Sequence, residues 1–479
     1  MNIGIVFYFL GWVLGIEGIL MILPCVVALI YQEPSGFYFL GVALFCGISG
    51  WLLAHKKLKS TVFYAKEGFV AVSLSWIVLS FFGALPFFLS GEIPLLEDAL
   101  FEVISGFTTT GASVLSDVEA LSRCMLMWRS FTHWIGGMGV LVFILAVLPL
   151  AGGYNIHIMR AESPGPSVGK LVPRVRTTAK ILYLIYLFIT VVQIILLLFT
   201  GMPLFDSMAM SFGTAGTGGF GIVNSSCGDY TALQQWIFTI FMILFGVNFN
   251  VYYLFLIRKP KDALHCEEMR GYLGIILVST LLITWNIRGM FPNILTALRH
   301  AAFQVGSIIT TTGYSTTDFD LWPGFSKTIL VSLMFIGACA GSTGGGIKVS
   351  RIAIAVKTVN KELSSLIHPR NVKVLKYEGK PIEHNVLRSI NTYLVAYILI
   401  FVVSLLLISL DNFDLTTNFT AIAATLNNIG PGLEKVGPTC NFGIFSPFNK
   451  YILMFDMLAG RLELFPMLLL FSPRTWMRE

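Results

Sequence analysis

Charge is scarce in this sequence. Only 12% of its 479 residues are Asp, Glu, Lys or Arg, against about 25% in a soluble domain. With 55% hydrophobic residues and a mean hydropathy of +0.78, the chain is an integral membrane protein and not a large soluble core. The seven cysteines are scattered and odd in number, with no CxxC pair, which excludes a disulfide framework and a zinc site. There is no HExxH and no paired intramembrane Asp, so a membrane-embedded enzyme has no catalytic constellation to work with. A phosphate-binding loop needs Gly-Lys-Ser/Thr in succession. Here Ile347 separates Gly346 from Lys348 and Val349 follows. No Lys or Arg precedes the apolar run Ile3–Ile30 and no small-residue cleavage pattern ends it, so it reads as a first membrane helix and not a removed signal.

Apolar stretches long enough for a span of about 20 residues lie at 3–30, 37–54, 68–90, 125–150, 179–200, 232–257, 272–291, 326–358 (interrupted), 386–410 and 449–472. Four short stretches punctuate them, after the third, fifth, seventh and ninth. They are Phe101–Leu115, Ala209–Gly221, Phe303–Thr316 and Phe419–Leu433. The expected fold is an all-α polytopic membrane protein: an N-terminal helix pair, 1–67, then four pseudo-symmetric helix–pore loop–helix repeats around a central pore. The repeats cover 68–160, 161–264, 265–380 and 381–479, with pore loops at 98–115, 206–221, 300–316 and 417–433. An intramembrane loop is expected at 337–347.

If the N-terminus is cytoplasmic, the connections 55–67, 151–180, 258–271 and 348–388 and the C-terminal tail hold 24 of the 32 basic residues. That bias fixes the expected orientation, with both termini cytoplasmic. It also accounts for the net charge of +6 without nucleic acid. Acids such as Asp98, Asp206, Asp318 and Asp414 gather on the outer side, either as a cation-attracting vestibule or as ordinary loop solvation. The polar connection 359–385, with Lys361, Arg370, Lys373 and Lys376, is either a docking surface for a soluble partner or a solvated linker near headgroups.

The four short stretches read SGFTTTGAS, GTAGTGGFG, SIITTTGYS and ATLNNIGPG. They align without a gap on Gly111, Gly219, Gly313 and Gly430, a register in which Asp98 meets Asp206 and Ser105 meets Ser307. Gly216 is a rival glycine in the second copy, but the gapless register favours Gly219. Irregular backbone at membrane depth survives only where it lines water or protein. Glycine lets carbonyls turn toward one axis, and a ring of carbonyls can replace a cation's hydration shell. The expected ring comprises Thr109, Thr110 and Gly111, Thr217, Gly218 and Gly219, Thr311, Thr312 and Gly313, and Asn428, Ile429 and Gly430. One TTTG alone would be ordinary helix packing; four copies on one side of the membrane are not.

Span 326–358 carries Gly337, Gly341, Gly344, Gly345 and Gly346 around Ser342 and Thr343. At roughly 1 kcal/mol per glycine relative to alanine, the helix should break there. The result is either a movable obstruction beneath the ring or a static kink. Arg461 falls within the last span, where a lone arginine is costly and faces water or a partner. Pore-facing, it would set a barrier to cations; the other reading is an ion pair with a carboxylate such as Glu17 or Glu102. His133, beside Gly136, Gly137 and Gly139, reads as a hydrogen-bonded packing residue at a close helix contact.

The stretches HWIGGMGV (133–140), FGTAGTGGFG (212–221), TTTGYSTTDF (310–319), AGSTGGGIK (340–348), NNIGPGL (427–433) and DMLAGRLE (456–463) resemble the TrkH/TrkG potassium-uptake family, in the superfamily of KtrB and the plant HKT-type transporters. The likeness covers nearly the whole chain. It implies K+ as the transported ion, one filter glycine per repeat and a gate formed by Gly341–Gly346 with Arg461. It also implies a homodimer in the lipid of a bacterial inner membrane and a cytoplasmic nucleotide-binding ring of the TrkA type. A sodium- or ammonium-selective relative of the same fold is the alternative. In the related plant transporters a serine in the first repeat accompanies sodium preference, and this chain has Gly111 there.

Overall fold

The computed structural model describes residues 2–55, 65–139, 175–368 and 374–477. Among these, six helices are long and apolar enough to cross a bilayer: Ile3–Tyr31, Gly36–Ala54, Lys66–Ser90, Ala179–Phe199, Glu267–Ile287 and His384–Asp411. At 1.5 Å per residue, about 20 residues span the ~30 Å of hydrocarbon. Their outward faces stay apolar. On Glu267–Ile287, Leu277, Val278, Leu281 and Trp285 are exposed while Tyr272, Ile276, Ile283 and Ile287 are buried. An exposed apolar band of this kind suits lipid and not water.

The N-terminal pair packs through small residues. A Cβ on Gly11 would meet the Ala54 nitrogen at 2.7 Å and the Gly50 oxygen at 2.8 Å, so glycine there permits the close approach common between membrane helices. The pair is tied to the first repeat by Glu33, which accepts from the Arg123 and Cys124 N–H groups at 2.7 and 2.8 Å and so caps the helix Arg123–Gly137.

Each repeat has a long helix, a short pore helix, an extended glycine-bearing segment and a second helix. The pore helices are Leu96–Phe107, Leu204–Ala215, Ile294–Ile309 and Leu415–Leu426. A 12-residue pore helix rises about 18 Å, roughly half the hydrocarbon thickness.

The second helices differ from the expected continuous spans. Arg123–Gly137 stops before Gly139, which has φ +73°. Ala232–Phe245 and Phe249–Leu256 meet at 88°, with the Asn248 side chain capping the second piece. Gly324–Ile336 and Val349–Ile367 flank the glycine-rich loop. Pro447–Arg461 and Phe465–Phe471 are separated by Glu463 and Leu464, both at positive φ. Hydropathy counts apolar residues but does not register an N-cap such as Asn248 or a proline such as Pro466. The expected spans 232–257 and 449–472 are therefore each broken, and the expected 326–358 interruption is one of a set. The span 125–150, the repeat boundary near 160, and the connections 55–67, 151–180 and 359–385 fall partly outside the described residues. The described part of the last of these includes a two-stranded hairpin, Lys376–Tyr377 with Lys380–Pro381, turning at Glu378 and Gly379.

Candidate functional site

The four pore helices end alike. Thr109, Thr217, Thr311 and Asn428 take left-handed φ of 54°, 53°, 61° and 57°. The residue after each donates its N–H back to the helix, Thr110 to Ser105 O, Gly218 to Gly213 O, Thr312 to Ser307 O and Ile429 to Ala424 O, at 2.8–2.9 Å. A second bond of shorter reach along the chain joins the N–H of Thr109 to Gly106 O, Thr217 to Thr214 O, Thr311 to Ile308 O and Asn428 to Thr425 O, at 3.0–3.2 Å. This pair of bonds with a left-handed residue is a Schellman cap, which satisfies carbonyls that a helix end leaves unpaired.

Two residues beyond each cap residue the chain is again at positive φ, at Gly111 (79°), Gly219 (80°), Gly313 (87°) and Gly430 (100°). Gly216, the rival in the second copy, has an ordinary helical φ of −70° and instead lies against the His133 backbone. A Cβ on Gly111 would run into the Gly218 carbonyl oxygen, on Gly219 into that of Thr312, on Gly313 into that of Ile429, and on Gly430 into that of Thr110. The contacts close in the order first, second, third, fourth and back to first. All four glycines border one hollow, with Arg129 and Pro431 in its wall.

Side chains brace the ring. His133 Nδ1 lies 2.8 Å from the Gly106 carbonyl and its Nε2 accepts from Phe220 N–H at 3.3 Å, so the first repeat's helix holds the second repeat's strand. The Tyr314 hydroxyl donates to Met210 O at 3.1 Å, binding the third strand to the second pore helix. Asn428 Nδ2 donates to Thr110 Oγ1 at 3.0 Å and to Met457 O at 2.9 Å, closing the fourth strand on the first. Arg129 pairs with buried Glu102 at 2.6 Å and donates to Gly221 O at 3.1 Å. Its guanidinium lies 3.8 Å from the Phe220 ring centre, a cation–π arrangement. Nothing in the local sequence pattern around Arg129 marks this pair.

The outer acids are engaged in structure. Asp98 pairs with Lys450 at 2.5 Å and Asp206 with Arg123 at 3.7 Å. Asp318 and Asp414 accept from backbone N–H groups near their own positions. The arrangement favours the reading of these acids as local structure over a free negative vestibule.

The loop between Ile336 and Val349 has Gly337, Gly341, Gly346 and Lys348 at positive φ. It lies against the caps of the third and fourth pore helices. The Gly345 N–H donates to Thr311 Oγ1 at 2.7 Å, and a Cβ on Gly345 would stand 2.6 Å from the Asn427 carbonyl oxygen. The buried Lys348 Nζ donates to the loop's own Gly344 and Gly345 carbonyls, a use far from phosphate binding. The loop also fills the break of the second repeat, where Phe249 N–H donates to Gly341 O and Cys339 N–H to Gly246 O at 3.0 and 3.1 Å. Ser342 Oγ donates to Cys339 O at 2.6 Å, and Thr343 Oγ1 to Phe245 O at 3.3 Å.

Arg461 is the last residue of its helix, not a mid-helix charge. It donates to the carbonyls of Thr343 (2.9 Å), Gly136 and Gly137 (2.9 Å), and borders a cavity with Gly341, Gly344, Gly345, Gly346 and Lys348. Of the alternative carboxylate partners, Glu102 is held by Arg129. Glu463, two residues on, pairs with Arg351.

The TrkH family, described as cation transport proteins, matches residues 36–287 and 289–477. The Trk system potassium uptake protein TrkH of Salmonella typhimurium is 40% identical over 95% of each chain. TrkG of Escherichia coli is 33% identical over 99% of each. The crystal structure of the potassium transporter TrkH from Vibrio parahaemolyticus superposes with a TM-score of 0.89 at 33% identity, covering 100% of both chains. With a matching family over nearly its whole length and the same architecture, the chain belongs to the TrkH family of cation transport proteins.

Proposed function

We propose that this protein takes up potassium across a bacterial inner membrane through a channel-like pore at the ring of four glycines. The observation that carries the reading is the closed contact cycle Gly111–Gly218, Gly219–Thr312, Gly313–Ile429 and Gly430–Thr110. Carbonyls of Thr109–Gly111, Thr217–Gly219, Thr311–Gly313 and Asn428–Gly430 then serve as the dehydrating ligands. The pore helices set their partly negative C-terminal ends beside them. The choice of potassium rests on the named function of the relatives.

In this reading the loop Gly341–Gly346 obstructs the path beneath the ring, and Arg461 adds a positive barrier in the same cavity. The basic connections face the cytoplasm, both termini included. A homodimer and a cytoplasmic nucleotide-binding ring of the TrkA type complete the system, as the relatives' designation as part of a Trk system suggests.

Ion flux into vesicles containing the purified protein tests the assignment. Potassium and rubidium should enter faster than sodium or ammonium, with measurable sodium leak because only one glycine per repeat shapes the ring. Sodium or ammonium entry equal to or above that of potassium would establish the alternative selectivity.

A further inference from the structure

Glu268 is a buried carboxylate, 4% exposed, near the start of the helix Glu267–Ile287. It does not reach the ring. Its Oε1 accepts the Ala340 N–H of the glycine-rich loop at 2.7 Å. Its Oε2 accepts from Asn248 Nδ2 at 3.3 Å, and Asn248 is the residue that caps the helix after the break in the second repeat. One side chain thus touches both the loop and the break into which it docks.

The backbone of the same residue is held from elsewhere. The Glu268 N–H donates to Glu378 Oε1 at 3.1 Å, and Cys266 Sγ donates to the same oxygen at 3.3 Å. Glu378 sits at the turn of the hairpin Lys376–Pro381 and is exposed. The hairpin is fastened a second time by Lys357, which donates to Lys376 O at 3.0 Å, pairs with Glu267 at 2.5 Å and lies 5.3 Å from the Tyr377 ring centre. Lys357 belongs to the helix that leaves the loop, Val349–Ile367. The hairpin therefore grips the helix that carries Glu268 and the helix that continues from the loop.

We propose that Glu268 is a positioning residue that clamps the intramembrane loop in its obstructing place, and that the exposed hairpin around Glu378 is the lever that releases it. The proposal rests on the loop acting as a gate. A force on the hairpin shifts Glu378, withdraws the acceptor from the Glu268 N–H and loosens the carboxylate's hold on Ala340 and Asn248. Bistable elements biased by a few hydrogen bonds convert small displacements of this kind into open and closed populations.

The test uses the full chain in vesicles without any partner, with two readouts: rubidium flux, and hydrogen exchange over residues 337–348. Glu268→Ala should raise basal flux by about tenfold, the population shift expected for losing one charged hydrogen bond, and should speed exchange in the loop. Glu268→Gln retains an acceptor for Ala340 and should fall between the two. Glu378→Ala leaves the loop contacts in place and should shift both readouts in the same direction. A variant shortened by Gly344 and Gly345 separates the two layers. If it conducts more but Glu268→Ala and Glu378→Ala match wild type in flux and exchange, the gate stands and the clamp is wrong. If the shortened variant does not conduct more, the gate reading fails, and unchanged loop exchange in the Glu268 and Glu378 variants overturns the clamp independently. Should Glu268→Ala fail to fold, Glu378→Ala decides.

Discussion

Three of the four cap residues, Thr109, Thr217 and Thr311, are β-branched and yet sit at positive φ, a conformation that costs an L-residue roughly 1–2 kcal/mol. The two returning N–H bonds of each cap offset that cost. Hydroxyl contacts add to them, Thr217 Oγ1 to Gly216 O at 2.6 Å and Thr311 Oγ1 from Gly345 N–H at 2.7 Å. The glycines two residues on have no such latitude. At Gly111, φ is +79° and a Cβ would press into the Gly218 carbonyl oxygen, so any side chain displaces a ring oxygen. Gly111→Ser should keep the protein folded but distort one quarter of the ring. A loss of ~1.4 kcal/mol in discrimination is a tenfold drop in selectivity, and a drop of about that size in the potassium-to-sodium flux ratio is the expected outcome. An unchanged ratio in vesicles would remove Gly111 from the filter.

At the scale of elements, each pore helix must start and stop at a set depth, because its C-terminal cap positions the ring. The fourth starts at Asp414, whose Oδ1 accepts from Thr417 N–H at 2.8 Å and whose Oδ2 accepts from the Thr417 hydroxyl at 2.6 Å. The Thr417 hydroxyl bond, more than the backbone bond, holds the Asp414 carboxyl below the usual carboxylate range. A depressed folded value means that the stabilisation is complete above the unfolded value of about 3.9 and is lost as pH falls through the lower folded value. Asp414→Asn should retain the cap yet lose this acid-range dependence, whereas Asp414→Ala should cost about 1 kcal/mol. Thermal unfolding followed between about pH 3 and pH 6 distinguishes the two. The broken second helices belong to this scale as well. Asn248 in the second repeat and Pro466 in the fourth are ordinary cap and helix-start residues, yet each divides an apolar run that hydropathy reads as one span.

Across the whole molecule, Arg461 joins parts that are far apart in the chain. It ends a helix of the fourth repeat and bonds carbonyls of the third (Thr343) and the first (Gly136, Gly137). Removing it would take three hydrogen bonds from the loop and the first repeat, and a positive charge from the cavity that it borders with Gly341 and Gly344. Arg461→Ala should therefore raise basal rubidium flux, by roughly tenfold if one charged hydrogen bond to the loop is the main loss. Flux equal to wild type would show that the residue is a structural tie alone.

The sequence by itself determined the membrane class, the N-terminal pair, the four-fold repetition and the register of the four glycines. All of these follow from composition and spacing along one dimension. The register was legible because backbone that must take positive φ selects glycine at a fixed distance from each helix end. His133 was legible as a packing residue because three glycines beside it announce a close approach. Tertiary structure alone decided which groups meet across repeats: the cyclic contact of each glycine with the next strand's carbonyl, the Glu102–Arg129 brace, the Lys348 bonds to its own loop, and the hold of Glu268 on Ala340 and Asn248. The partners in these contacts can lie at opposite ends of the repeat region, as Gly430 and Thr110 do. A lone carboxylate at a helix start looks the same in sequence whether it faces water, a helix dipole or the ends of a buried loop. The physical reason is that hydrogen-bond partners are chosen by how helices pack in three dimensions, and no period in the chain records that choice.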